Sequence, residues 1–334
     1  MGGGCIMRKK VLIANRLDQT IIDQLEEQFD LSYIKTYETT KEELYDAVKD
    51  VHGIIGHGIT IDKSLLKKAK KLEIVCNISV GFNNFDVEAM KQYNVMGTNT
   101  PDVLTDTVAD VIFGLLIATA RRIPEMDRLV KDGKWKKNMY EQLYGLDVHH
   151  KKIGIIGMGR IGEAIANRAH HGFHMDVLYH TRSRKYGAEE KFDAVHCSLE
   201  DLLQQSDYVV LMTPLTEETK GLLSLREFQL MKDTAIFING SRGQTIVEKD
   251  LITALETKEI AAAGLDVFEK EPVDPDNPLL KMNNVVTLPH IGSATYATEL
   301  KMATLAYENL CKGLTNEMPV TLVDKAMWDL RKNK

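Results

Sequence analysis

Three short stretches of this 334-residue chain hold side chains suited to moving a proton beside an anion. They are Asn239-Gly240-Ser241-Arg242-Gly243, Asp266-Val267-Phe268-Glu269-Lys270-Glu271-Pro272 and Pro289-His290-Ile291-Gly292. Each follows an apolar, strand-like run, and ligands on doubly wound sheets bind at the carboxyl ends of the strands. Arg242, Glu271 and His290 are therefore expected at one edge. Arginine can grip a carboxylate through two parallel hydrogen bonds. Histidine is the natural proton carrier near neutral pH, and a neighbouring carboxylate orients it and favours its charged form. Singly, a histidine after a strand is commonly structural, and Glu271 could be a loop charge. The conjunction at three successive strand ends points instead to acid–base chemistry.

A second stretch supplies a place for a dinucleotide. Ile153-Gly154-Ile155-Ile156 reads as a strand, Gly157-Met158-Gly159-Arg160-Ile161-Gly162 as a glycine turn, Glu163–His170 as a helix and Met175–Tyr179 as the next strand. In that setting the first glycine permits the turn, the second lets a pyrophosphate approach the backbone, and the third lets helix and strand pack closely. Amides at the helix start then face the phosphates, where the helix dipole favours negative charge. A carboxylate that would accept the ribose hydroxyls is expected about 20 residues into the motif. That position holds His180, followed by Thr181-Arg182-Ser183-Arg184, while Asp176 comes too early in the strand. With no acid to repel a 2′-phosphate, and with guanidiniums and a hydroxyl to bind one, the reading is NADP(H) in preference to NAD(H), which stays possible. A solvated basic turn is the plainer alternative.

The elements that must position these groups repeat a strand-then-helix order. Strands are expected at Lys10–Ala14, Leu31–Ile34, Val51–Ile55, Glu73–Ile78 and Val95–Gly97. Helices fall at Gln19–Phe29, after the capping signal Thr40-Lys41-Glu42-Glu43, and from Asp62 and Asp86. Beyond the glycine unit, strands are expected at Ala194-Val195, Asp207–Met212, Thr234–Ile238, Ile260–Leu265 and Val285–Leu288, with a capping box at Ser224–Glu227. Alternation of this kind argues for α/β architecture with two doubly wound domains. Thr105–Arg122 reads as a helix apolar all round, buried within the chain or at a homodimer contact, and Pro124–Asp132 as another helix. From about Tyr296 an amphipathic helix places Leu300, Ala303, Tyr307 and Leu310 on one side.

A net charge of −6 supplies no basic field to hold nucleic acid or an acidic membrane. The longest apolar run, Val111–Ala120, is far short of the ~20 residues that span a bilayer. Met1–Met7 lacks the apolar core of a secretion signal and reads as a loose leader. Cys5, Cys76, Cys197 and Cys311 are scattered without metal-type spacing, which fits a reducing cytoplasm. His170, His171 and His174 have ligand-like spacing, with His149-His150 upstream. No cysteine or carboxylate complements them, and no metal site is expected.

Across nearly its whole length the chain resembles the D-isomer-specific 2-hydroxyacid dehydrogenases. The likeness lies in the stretch Asn77–Asp86, in Thr98-Asn99-Thr100-Pro101 and Thr105–Asp110, and in the glycine turn. It continues through Thr213-Pro214-Leu215-Thr216, Ser241-Arg242-Gly243, Leu265-Asp266-Val267-Phe268 and Pro289-His290-Ile291-Gly292. Within that family it looks most like the glyoxylate, hydroxypyruvate and 2-ketogluconate reductases, particularly through the basic turn. The resemblance implies a flavodoxin-like substrate domain of residues 7–103 plus 297–334 and a Rossmann-type nucleotide-binding domain of residues 104–296. It implies that His290 is the acid–base, Glu271 its partner and Arg242 the substrate anchor, with the backbone amides of Val80 and Gly81 on the substrate carboxylate. Thr105, the glycine turn with Arg160 and Ile161, Thr181, Arg182, Ser183, Thr213, Gly240, Ser241, Asp266 and Gly292 would contact the cofactor, Asp266 near the nicotinamide amide. The implied reaction is reduction of a small 2-keto acid to the D-2-hydroxy acid, in a cleft between the domains. His57, Phe82 and Tyr144 are candidate specificity residues.

His180 with Arg182 departs from the NAD-using members, which carry an acid there. Formate dehydrogenases look similar but typically pair the histidine with glutamine, where this chain has Glu271. A nucleotide-sensing corepressor of the same fold is the non-enzymatic alternative, although nothing in this chain resembles an added interaction tail. The chain ends soon after the helix from Tyr296, which argues against an appended regulatory domain.

Overall fold

Residues 8–332 are described in the computed structural model, so the expected leader at Met1–Met7 lies outside them. The chain divides into two compact units. One combines the stretch through Leu104 with that from Ala294 onward, and the other is Thr105–Ser293.

In the first unit, β1 (Lys10–Ala14), β2 (Asp30–Ile34), β3 (Gly53–Gly56), β4 (Ile74–Asn77) and β5 (Met96–Thr98) form a parallel sheet in the order β2-β1-β3-β4-β5. Val11, Leu12, Ile13, Ile55, Ile74 and Cys76 are sealed from solvent. Strands covered on both faces read as unbroken apolar runs, which is why these were visible in the sequence. The capping signal forms as a reciprocal pair: the Thr40 amide donates to the Glu43 carboxylate (2.8 Å) and the Glu43 amide donates to Thr40 Oγ1 (3.3 Å). Asp62 and Asp86 cap one-way, their carboxylates accepting the Leu65 and Ala89 amides, although the helix from Asp62 covers only Lys63–Leu66.

The helix Tyr296–Leu314 lies on β3 and β4. Its buried side runs through Met302, Ala303, Ala306, Asn309, Leu310 and Gly313, and Leu300 is 40% exposed. The expected stripe is thus rotated. Small residues set the contact line: a Cβ on Gly313 would stand 2.4 Å from Ile74 Cδ1, so the helix approaches the sheet through its smallest side chains rather than its largest. A further helix, Ala326–Lys332, buries Met327 and Trp328.

In the second unit, β6 (Lys152–Ile156), β7 (Asp176–His180), β8 (Val195–His196), β9 (Tyr208–Leu211), β10 (Ile236–Asn239), β11 (Ala262–Leu265) and β12 (Val285–Thr287) form a parallel sheet in the order β12-β11-β10-β9-β6-β7-β8. The chain reverses direction across the sheet between β6 and β9, which makes the carboxyl ends of those strands the ligand crevice. The glycine-unit helix runs Arg160–Asn167 rather than from Glu163, and Arg168–Gly172 follows as a π turn. Gly159 caps this helix in an extended conformation, so winding begins at the next residue. The helix Thr105–Ala120 packs on β10, β11 and β12 of its own unit, burying Val108, Ile112, Phe113, Leu115 and Leu116. Among the described residues no helix is long and apolar enough to cross a membrane.

Candidate active site

The glycine turn follows β6, and its three glycines have different surroundings. Gly157 has φ +104°, and a Cβ there would stand 2.8 Å from the Met212 carbonyl. A Cβ on Gly162 would stand 2.3 Å from the Gly157 oxygen. Both are therefore glycine for steric reasons within the protein. Around Gly159 a Cβ would meet nothing within 4 Å. The open glycine is the one over which a pyrophosphate must pass, beside first-turn amides of a helix that have no intrahelical acceptor. Thr213, on the loop after β9, adjoins the same turn, and its backbone N would lie 2.9 Å from a Cβ on Gly157. Its buried hydroxyl has no partner among the described residues, as is also true of Thr98 and Thr100 in the first unit. An unpaired buried hydroxyl costs about 1–3 kcal/mol, so a ligand group at Thr213 would satisfy an existing need. The residues present fit a dinucleotide.

The basic turn is more differentiated than its sequence suggests. Arg184 Nε donates to Glu189 Oε1 (2.7 Å), and its guanidinium lies over the Tyr186 ring at 5.2 Å. The Thr181 hydroxyl donates to the Ser183 carbonyl (2.7 Å). Arg182 is exposed, and its charge helps hold the Glu218 carboxyl low, after the Thr216 hydroxyl and Glu218's own amide. Of the two guanidiniums, Arg184 is engaged within the protein and Arg182 faces solvent.

Arg242, Glu271 and His290 follow β10, β11 and β12, three adjacent strands at one edge of the sheet. His290 Nδ1 and Glu271 Oε2 are 2.7 Å apart, and the Phe268 amide donates to Glu271 Oε1 (3.0 Å). Burial works to raise the Glu271 carboxyl. The hydrogen bonds from His290 and Phe268, with the charges of His290 and Arg242, outweigh it and leave the group below its ordinary range. An ionised carboxylate only accepts, so Nδ1 carries the proton, and Nε2 has no protein partner among the described residues. Arg242 is held by a bond from Nη1 to the Ser241 carbonyl (2.7 Å). Burial pulls its pKa below the usual arginine value, against the Glu271 charge, yet a guanidinium stays charged.

Asp266 lies almost wholly buried behind His290. Its two oxygens accept the Ile291 amide (2.8 Å) and the Gly292 amide (2.9 Å). Burial raises its carboxyl, opposed by those amides and by the His290 charge. The clamp fixes the loop in which His290 adopts φ 53°, a conformation that non-glycine residues rarely take.

Val80 and Gly81 belong to the first unit, on the loop after β4. Asn99 Nδ2 donates to the Val80 carbonyl (2.7 Å) and Ser79 Oγ to the Gly81 carbonyl (2.6 Å). In the same unit His57 Nε2 stands 3.2 Å from Glu299 Oε1, and Phe82 is 39% exposed. Tyr144 belongs to the second unit, beside a cavity of about 1090 Å³ lined by the starts of β10 and β11 and by β12 through Leu288. The His150 and His174 rings stack 5.4 Å apart, just before β6 and β7. Among the described residues no group of three or more histidine, cysteine or acidic side chains could hold a metal ion.

Residues 113–292 match the model of the D-isomer specific 2-hydroxyacid dehydrogenase NAD binding domain. The chain is 45% identical to glyoxylate/hydroxypyruvate reductase B of Escherichia fergusonii, over 95% of this chain and 98% of that one. The chain belongs to the D-isomer specific 2-hydroxyacid dehydrogenase family. Among solved structures, this dehydrogenase is similar to the NADPH-dependent glyoxylate/hydroxypyruvate reductase of Sinorhizobium meliloti in complex with NADP and malonate. The identity is 31% and the TM-score 0.84, over 96% of this chain and 98% of that one. A glyoxylate reductase from Paecilomyes thermophila superposes with TM-score 0.86 at 28% identity, over 96% and 99% of the two chains. The chain is thus an NAD(P)-dependent 2-hydroxyacid dehydrogenase of α/β architecture.

Several supports of the dehydrogenase site were missed in the sequence. A Cβ on Gly243 would stand 1.8 Å from the Phe268 carbonyl carbon, so only glycine lets the Arg242 turn abut the Glu271 loop. Gln244 Nε2 donates to the Glu269 carbonyl (2.6 Å), and the Glu269 amide donates to Glu248 (2.9 Å). The buried Asn239 accepts the Ser241 amide and hydroxyl, so the Ser241 hydroxyl shapes the turn. Gly240 leaves room for Ile112, whose Cδ1 would lie 2.1 Å from a Cβ there. Gly243 and Asn239 fall inside the quoted strand-end motif, whereas nothing in the sequence flags Glu248.

Proposed function

We propose that this dehydrogenase reduces a small 2-keto acid of the glyoxylate or hydroxypyruvate type to its D-2-hydroxy acid, with NADPH preferred over NADH. The observation that carries the reading is the His290–Glu271 pair at 2.7 Å, with Arg242 after β10 and the glycine turn after β6, all at the carboxyl ends of strands in one sheet. The preference for NADPH is supported by His180 and the exposed Arg182 where an acid would otherwise receive the ribose.

The nicotinamide, when bound, supplies the hydride. The protein's own part is to hold and protonate the keto acid. Because Glu271 fixes Nδ1–H, the proton passed to the carbonyl oxygen is the one on His290 Nε2, and the resulting neutral ring keeps its bond to Glu271. The half-buried Arg242 guanidinium binds the carboxylate and the carbonyl oxygen, stabilising the negative charge that grows during transfer. Asn99 and Ser79 hold the Val80 and Gly81 carbonyls, and the amides of that loop would be donors of the kind a carboxylate accepts. Asp266 keeps the His290 loop in place. Exposed Trp135, Tyr140 and Tyr144 suit a homodimer contact, and unpaired Cys76, Cys197 and Cys311 suit a reducing cytoplasm.

The test follows loss of reduced-nicotinamide absorbance with NADPH and, separately, NADH, against glyoxylate, hydroxypyruvate, pyruvate and 2-ketogluconate. NADPH-preferred turnover of the first two is expected. Preference for NADH would remove the role given to Arg182, and no turnover with any acid would remove the substrate class.

A further inference from the structure

His180 occupies the last position of β7, paired with Ile156 of β6, and its carbonyl accepts the Gly157 amide (3.0 Å). It is therefore joined directly to the phosphate-binding turn, at the place where a doubly wound fold meets the adenosine ribose. Its ring has a determined proton position. Nδ1 stands 3.0 Å from the Cys197 carbonyl, which can only accept, so Nδ1 carries a hydrogen. Nε2 has no protein partner among the described residues. A second imidazole backs it: His196, on β8, lies parallel at 6.5 Å with 6° between the rings, and its Nε2 donates to the Thr181 carbonyl (3.1 Å). The turn is thereby pinned from both sides while one nitrogen, His180 Nε2, is left to change its hydrogen-bonding character with protonation.

That character decides which cofactor it matches. Neutral, Nε2 is an acceptor and fits a ribose 2′-hydroxyl, which can donate; protonated, it is a donor and fits a 2′-phosphate, which near neutral pH mainly accepts. We propose that His180 is a proton-operated selector at the cofactor's 2′-position, favouring the 2′-phosphate when charged and the 2′-hydroxyl when neutral. The inference rests on the NADPH reading above and adds a pH dependence to it. The charged and titratable groups around the ring are Arg182, Lys185 and the Arg184–Glu189 pair from its own turn and the helix that follows, and His196 from β8. Asp201 stands behind Cys197, and Glu218 lies on the loop after β9, within the field of Arg182. Arg182 supplies the pH-independent part of phosphate binding and His180 the part that titrates.

Binding to the full-length protein tests this without turnover. Calorimetric titration with 2′,5′-ADP and with 5′-AMP, from about pH 6 to about pH 8.5, spans the imidazole range. The ratio of the two affinities isolates the 2′-phosphate, and that phosphate's own ionisation is common to wild type and His180→Gln. In the wild type the ratio is expected to fall with rising pH about tenfold further than in the variant, the size of one charge-assisted hydrogen bond. In wild-type protein, one imidazole resonance in the NMR spectrum is expected to titrate at higher pH with 2′,5′-ADP bound than with 5′-AMP bound; this readout needs no variant. Parallel ratio profiles in both proteins, with 2′,5′-ADP still preferred, would overturn the role of His180 and leave the NADPH reading standing. Equal affinity for the two ligands at every pH would overturn both.

Discussion

Replacing Glu271 by glutamine tests the proton-handling pair with almost no change of shape. The carboxylate receives two donors, His290 Nδ1 at 2.7 Å and the Phe268 amide at 3.0 Å. Glutamine offers one acceptor and one donor group in the same space. If its oxygen stays on Phe268, its NH2 faces Nδ1, and the ring must present Nδ1 as an acceptor, which the imidazolium cannot do. If the amide turns over, the Phe268 N–H meets another donor. In either arrangement the charged ring loses its carboxylate. A hydrogen bond to a charged partner contributes about 1.5–3 kcal/mol. The side chains are 45% and 36% exposed, so solvent screening places this pair at the low end, near 1.5 kcal/mol. That corresponds to roughly a tenfold fall in kcat for keto-acid reduction, with KM changed little. Steady-state reduction of the best 2-keto acid across pH is the assay. Glu269→Gln serves as a control, because only the backbone of Glu269 enters the support network. A kcat–pH profile for Glu271→Gln superimposable on the wild type would refute the assignment of His290 as proton donor through this pair.

Three further outcomes are expected. Arg182→Ala should raise KM for NADPH about tenfold or more while leaving KM for NADH nearly unchanged, whereas Arg184→Ala, already held by Glu189, should change the NADPH value about threefold or less; equal effects would mean the turn acts only through net charge. Gly243→Ala puts a methyl 1.8 Å from the Phe268 carbonyl carbon, an overpacking that should cost about 3 kcal/mol and lower Tm by several degrees, with kcat falling as the Glu271 loop shifts; unchanged Tm and kcat would show that the turn has slack. Burial tends to raise the Asp207 carboxyl, but the Lys152 amide (2.9 Å) and Lys232 Nζ (2.7 Å) hold it below its unfolded value. Its contribution is therefore complete above the unfolded pKa of about 4 and is lost as pH falls through the lower folded value. Asp207→Asn should accordingly cost on the order of 1 kcal/mol at neutral pH and progressively less in acid, as read by denaturant unfolding; an equal cost at all pH values would contradict the ion-pair account.

The groups proposed for the chemistry are announced locally. His290, Arg242 and Glu271 lie on the loops that follow apolar strands, and the glycine turn carries its own steric logic in three residues. What the sequence concealed is how hydrogen-bonding capacity is divided among groups distant along the chain. Arg182 and Arg184 look equivalent in a basic turn, yet a carboxylate five residues on takes the second and leaves the first. The Ser241 hydroxyl gives no sign in the sequence that it donates to Asn239 Oδ1 and so helps shape the turn. Leu300 reads as core because it is apolar and correctly spaced, but the helix seats itself through Ala303, Ala306 and Gly313, where backbones can come closest. The same applies to the loop carrying His290: its partner is Asp266, 24 residues before His290, and the bonds come from the backbone amides of Ile291 and Gly292, whose residue types carry no signal of them. Residue type shows which chemistry a position can perform. Whether it is free to perform it depends on which donors and acceptors the fold has already paired, and among the described residues that pairing separates Arg182 from Arg184 and leaves Nε2 of both His180 and His290 without a protein partner while binding Nδ1 of each.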